Sequence, residues 1–213
     1  MTGRRILEIG GIIAGTLMIA FGVGALTMSI NARSTVGNEL TSQQIVGSAD
    51  MNPTDITAAM KEAGLANVSA PSCNVADQAI QTGGDARCFA QYMRIHALEA
   101  SGGLTYSQMG RFLAASDPSN PAGTNDDTAA VKDADGKPVA NAARNTWVTE
   151  TALTTALNVS YMAEQIALFG LVVGIALLLS GIGFIILALS VLGIGAKKEK
   201  KAPAFERTAA TVS

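Results

Sequence analysis

Two long stretches without a charged residue limit this chain more than any other feature. The first lies between Glu8 and Arg33 and the second between Glu164 and Lys197. Each exceeds the roughly 20 apolar residues that cross a ~30 Å hydrocarbon core as a helix. Buried helices of water-soluble domains rarely run so long without a charge. At about 1.5 Å per residue the second stretch reaches about 48 Å, so it has to tilt or begin outside the hydrocarbon. A cleaved signal peptide is the alternative for the first stretch, given its basic start at Arg4 and Arg5 and small residues near Ser29 and Ala32. Signal-peptide apolar regions are typically about 7–15 residues, however, and this one is longer.

Charge sets the expected orientation. The tails carry Arg4, Arg5, Lys197, Lys198, Lys200, Lys201 and Arg207 against Glu8, Glu199 and Glu206, a net +4. The segment from Arg33 to Glu164 holds eight basic and fourteen acidic residues, a net −6. Basic residues beside the ends of a span stay cytoplasmic. Arg4, Arg5, Lys197, Lys198, Lys200 and Lys201 are therefore the expected topology anchors, with both termini inside and the middle of the chain outside the cell membrane. The KKEKK run could also attract anionic lipid, although a topology anchor is the plainer reading.

That compartment decides the role of Cys73 and Cys88, the only cysteines. Outside the cytoplasm disulfides persist, and closing a loop of this size stabilises by about 3 kcal/mol in the chain-entropy account. Structural zinc takes about four ligands, which one histidine and two cysteines without a CxxC do not offer. A structural bridge is the expectation.

The outer segment reads as small and helical. Asn52-Pro53 suits a helix start, with an apolar stripe at Ile56, Ala59, Met60 and Ala63 and a left-handed stop at Gly64. A second helix is expected over about 85–101, ended by Gly102-Gly103. Thr105 with Gln108 resembles a capping box and predicts a third short helix to about Ala115. Asp135-Gly136 suggests a turn or small hairpin. From about Ala142 a helix, with Val148, Ala152, Ala156, Val159 and Ala163 on one face, runs unbroken into the second apolar stretch. The first helix is expected to continue past Arg33 towards Leu40.

Inside the apolar stretches the polar residues are Thr16, Thr27, Ser29, Ser180 and Ser190, with no ionisable group for a proton relay. Small residues recur four apart at Gly11 and Gly15, Ala20 and Gly24, and Gly170 and Gly174. Such spacing lets helices approach closely. Ala20/Gly24 facing Gly170/Gly174 within one hairpin is favoured over contact with a partner subunit.

Candidate chemistry is sparse. Arg94, His96, Glu99 and Tyr106 cluster in sequence, and His96 and Glu99 are neighbours on a helix face. A metal or acid–base pair is the sharp reading; a helix-face ion pair is the bland and favoured one. Asp133, Asp135 and Gly136 match only part of a calcium loop. Acidic loops at Asn125-Asp126-Asp127 and Asp133-Ala134-Asp135 leave room for a weak carboxylate ion site. Asn67-Val68-Ser69 and Asn158-Val159-Ser160 are formal glycosylation sequons. No nucleophile elbow, phosphate loop or dinucleotide fingerprint occurs.

The segments NARSTVGNEL, IVGSADM, CFAQYMRIHALEASGG and ARNTWVTETALTTALNVSY, followed by an ALFG-type apolar helix, resemble a group of hypothetical double-pass membrane proteins of actinobacteria. The resemblance spans most of the chain, including both cysteines. It implies a bacterial envelope setting and brings no activity, ligand or catalytic residue.

The expected fold is mainly α: a two-helix transmembrane hairpin with a small disulfide-braced helical extracytoplasmic domain and at most a minor β-hairpin. The expected segments are a cytoplasmic tail 1–8, a transmembrane helix 9–32, an extracytoplasmic domain 33–160, a second transmembrane helix with its stalk 161–196 and a basic cytoplasmic tail 197–213. The expected function is non-enzymatic: an acidic outer domain presented for protein interaction or envelope organisation. An accessory subunit of a larger membrane complex is the alternative, and an oligomeric channel or transporter component ranks below it. Expected partners are the lipid bilayer and a membrane protein or second copy, with no nucleic acid, no cofactor, no metal and no catalytic residue.

Overall fold

A computed structural model describes the backbone of residues 3–198 and, within it, the side chains of residues 3 and 5–190. Four α-helices follow in order: α1 Gly3–Ser42, α2 Pro53–Glu62, α3 Gly83–Ala100 and α4 Ala142–Lys198. The chain forms two compact units, one of Met1–Ile30 with Leu168–Ser213 and one of Asn31–Ala167. Lys200 and Lys201 lie outside the described residues, as do the side chains of Arg4, Lys197 and Lys198; the Arg5 side chain is exposed.

The first unit is an antiparallel helix pair. α1 and α4 are both long and apolar enough to cross a membrane, with mean hydropathy of 2.1 and 2.8 in the 18-residue apolar windows of the candidate spans Arg5–Ser42 and Ala142–Ser190. Their backbones meet where side chains are absent. A Cβ on Gly15 would stand 2.7 Å from the Gly181 carbonyl, and one on Gly22 would stand 2.9 Å from the Gly174 carbonyl. Gly170 abuts Ser29 and Gly11 abuts Ala188. Gly15, Gly22 and Ser29 recur every seven residues, the repeat of left-handed helix pairs.

This seam corrects the sequence reading at two positions. Gly11, Gly15, Gly170 and Gly174 face the partner helix, but Ala20 is exposed and Gly24 opens on empty space. Both lie two residues from Gly22, about 200° round the helix, and so turn away from the seam. Gly22 and Gly181 occupy the contact instead.

The second unit packs on α3. Its N-terminus is closed by a reciprocal capping box between Thr82 and Asp85, which draws Gly83 and Gly84 into the helix ahead of the expected start. α2 begins as expected: the Asn52 side chain accepts from the Thr54 and Asp55 amides, with Pro53 in the first turn. Gly64, at φ +70°, follows its last turn in a conformation open mainly to glycine. Ile56, Val75, Ile80, Tyr92 and Ile95 form the fully buried centre. The Cys73–Cys88 disulfide, with Cα atoms 6.1 Å apart, ties the loop before α3 to its second turn. The Tyr92 hydroxyl donates to the Cys73 carbonyl at 2.6 Å across the same joint, and burial raises the Tyr92 pKa.

The expected third helix is a single 3₁₀ turn, Tyr106–Gln108. The Gln108 side chain does accept from the Thr105 amide at 2.8 Å, yet the helix stops there. From Gly110 the chain runs extended, exchanging backbone hydrogen bonds with residues 122–124, 129–131 and 139–141. Gly110 lies so close to the Thr124 backbone that any side chain would overlap it. Non-local pairing outcompetes the local cap. Asp135-Gly136 forms a turn closed by the Asp133 amide on the Lys137 carbonyl at 2.9 Å. Among the described residues all such pairing stays at isolated bridges, Lys132↔Pro138 included, and no sheet forms.

α4 also differs from its expected facing. Val148 and Val159 are exposed, at 55% and 60%. The buried stripe lies one to two positions earlier, at Trp147, Glu150 and Leu157. The expected face carries only small apolar residues, whereas the seam holds the large side chains of Trp147 and Leu157.

Candidate functional site

The α3–α4 seam brings together the few chemically distinctive side chains of the second unit. The helices cross antiparallel. The Gly83 amide at the start of α3 donates to Glu164 Oε2 at 2.7 Å, while Glu164 Oε1 accepts from Arg33 Nη2 at 3.2 Å. Arg87 lies over the Tyr161 ring, 4.6 Å from its centroid. At the other end Trp147 Nε1 donates to the Leu104 carbonyl at 2.8 Å and approaches Ser101 Oγ at 3.0 Å. A buried indole N–H with partners anchors the seam.

Between these ends an open cleft of about 500 Å³ is lined by Met93, His96 and Ala97 of α3 and by Ala142, Asn145, Thr146, Thr149 and Glu150 of α4. Glu150 is only 5% exposed. Its Oε2 accepts from Thr151 Oγ1 at 3.2 Å. A buried carboxylate in an otherwise apolar stripe is costly without a charged or hydrogen-bonding partner.

His96 does not pair with Glu99 as the helix spacing allowed. Its Nε2 stands 3.0 Å from Asp50 Oδ2 in the loop before α2, an ion-pair approach without hydrogen-bond alignment. Asp50 accepts from Ser48 Oγ at 2.5 Å. The Ser48 hydroxyl is the main reason that the Asp50 carboxyl lies below the usual carboxylate range, with His96 adding to the effect against partial burial. Arg94 lies over Trp147, 5.5 Å from the ring centroid, and Arg144 over Tyr106 at 4.1 Å. The Arg94–Tyr106 cluster of the sequence is thus dispersed over three separate contacts.

The acidic loops have local roles. Asp133 Oδ1 accepts from the Asp135 and Lys137 amides at 3.0 and 2.8 Å. Asp127 pairs with Lys132 at 3.7 Å, and Asp126 Oδ1 accepts from Thr128 Oγ1 at 2.8 Å. Among the described residues no group of three or more His, Cys, Asp or Glu side chains is arranged to hold a metal ion. Of the sequons, Asn67 is exposed in the turns after α2, and Asn158 lies in α4, its amide donating to the Thr154 carbonyl at 2.8 Å.

Sequence reasoning missed Asp50 and Glu150. Asp50 meets His96 only through the tertiary fold. Glu150 did leave a signal: it stands three residues after the only tryptophan and seven before Leu157, the spacing of one helix face. Comparison of the chain with protein-family models, curated proteins and solved structures finds no match.

Proposed function

We propose that this chain is a non-enzymatic, double-pass membrane protein of a bacterial envelope. It keeps both termini in the cytoplasm and presents an acidic, disulfide-braced helical domain outside as a docking surface for other proteins. One observation carries the membrane reading. In the most apolar windows of α1 and α4 only 11% and 17% is buried, so large side chains such as Leu7, Phe21, Phe169 and Leu187 stand exposed at 64–79%. Each such side chain is worth about 1.5–3 kcal/mol when removed from water, and a hydrocarbon phase removes them all.

The orientation rests on the basic tails against the net −6 of residues 33–164. An oxidised Cys73–Cys88 pair is in keeping with an exterior compartment. The acidic balance favours basic partners through charge steering. The non-enzymatic reading rests on the residue inventory: one histidine, engaged with Asp50, and no nucleophile motif. A second reading, an accessory subunit of a larger membrane complex, is favoured by Ala20 and Gly24, small residues that face away from the helix pair.

Cysteine labelling in intact cells tests the topology. A reporter cysteine at Thr128 should react with a membrane-impermeant maleimide, and one at Ser213 should react only after permeabilisation. Labelling of Ser213→Cys from outside overturns the reading.

A further inference from the structure

The cleft beside Glu150 carries an inference independent of membrane topology. We propose that it binds a small organic cation, a primary ammonium on a short apolar body. Glu150 Oε2 accepts from Thr151 Oγ1, and among the described residues Oε1 has no protein partner and no cationic side chain pairs with the carboxylate. Glu150 lines the cleft although the residue as a whole is only 5% exposed. A carboxylate held in a helix seam, lining a cavity and without a protein cation, calls for an external positive charge.

The walls select the kind of cation. Divalent ions require several oxygen or nitrogen ligands, and the described residues include no group of three or more carboxylate, histidine or cysteine side chains that could supply them. Beside His96, which is paired with Asp50, and the Asn145 amide, the cleft offers one carboxylate, the hydroxyls of Thr146 and Thr149 and the apolar surface of Met93 and Ala97. Thr146 Oγ1 donates to the Ala142 carbonyl at 3.4 Å, leaving its lone pairs able to accept. A primary ammonium has three donors to distribute among such acceptors. Its short carbon body covers the apolar wall, the usual division of labour in a ligand pocket. The net −6 of residues 33–164 raises the local concentration of cations.

The test is isothermal titration of the full-length protein in detergent, at about 0.15 M salt to screen diffuse charge effects. The probes are n-butylammonium chloride, n-butanol and calcium chloride. Saturable one-to-one binding of butylammonium is expected, with neither of the other probes competing. Glu150→Gln should weaken binding about tenfold or more, through loss of a charge-assisted contact. Ala142→Phe, at the exposed rim, should block the cleft with an unchanged circular dichroism spectrum, and so keeps the test decisive if Glu150→Gln does not fold. Absence of saturation, equal binding of butanol, displacement by calcium, or unchanged affinity in Glu150→Gln or in a folded Ala142→Phe protein overturns the proposal.

Discussion

Single side chains show how far local chemistry depends on its tertiary setting. His96 sits in α3 within reach of Glu99 by helix spacing, yet the loop before α2 delivers Asp50 to it. Asp50 has a lowered pKa, so its contribution is present above the unfolded carboxylate value and is lost as pH falls through the lower folded value. The Asp50→Asn protein should therefore melt below the parent near neutrality, and the gap should close below about pH 4. With half of the Asp50 side chain exposed, solvent screening keeps the gap under about 1 kcal/mol. Thermal melts of both proteins across the acid range check this; a gap that widens with falling pH contradicts it. Glu150 teaches the complementary lesson. Its helical register with Trp147 was readable, but its burial became visible only once α3 covered that face.

At the level of elements, length and apolarity were legible and facing was not. α1 and α4 follow directly from runs without charge or proline, which nothing local interrupts. α2 follows from Asn52-Pro53 and Gly64. Thr105 and Gln108 formed their side-chain contact, yet the segment after Gln108 is extended because pairing with residues 122–124 satisfies its backbone groups better. The helix pair makes the same point through glycine. Gly22 meets Gly174 with no room for a Cβ, whereas Gly24 meets nothing. Gly22→Leu should weaken the pair by about 1–3 kcal/mol in an SDS titration, the cost of overpacking. Gly24→Leu should stay within about 0.5 kcal/mol in the isolated protein. Comparable losses from both variants would place the seam elsewhere. Loss of a copurifying membrane partner from Gly24→Leu alone would favour the accessory-subunit reading.

The whole molecule consists of two units held by different physics. In Met1–Ile30 with Leu168–Ser213, close backbone approach at small residues holds two apolar helices together; in Asn31–Ala167, a compact core and one disulfide hold short elements and loops. Reducing the bridge, or replacing Cys88 by Ser, should therefore cost the second unit about 2–5 kcal/mol. The helical signal of the apolar pair should persist through that transition. Simultaneous loss of both in one cooperative step would refute the separation. Sequence alone determined the two apolar helices, the start of α2 and the cysteine bridge, because each depends on local composition or on having a single possible partner. Tertiary structure alone decided which glycines touch, which face of α4 is buried, that residues 110–141 pair in extended form, and that Asp50 and Glu150 surround the only histidine and the cleft. Those outcomes depend on competition among faces and backbone partners far apart in the chain, where several local choices are nearly equal in energy and packing selects between them.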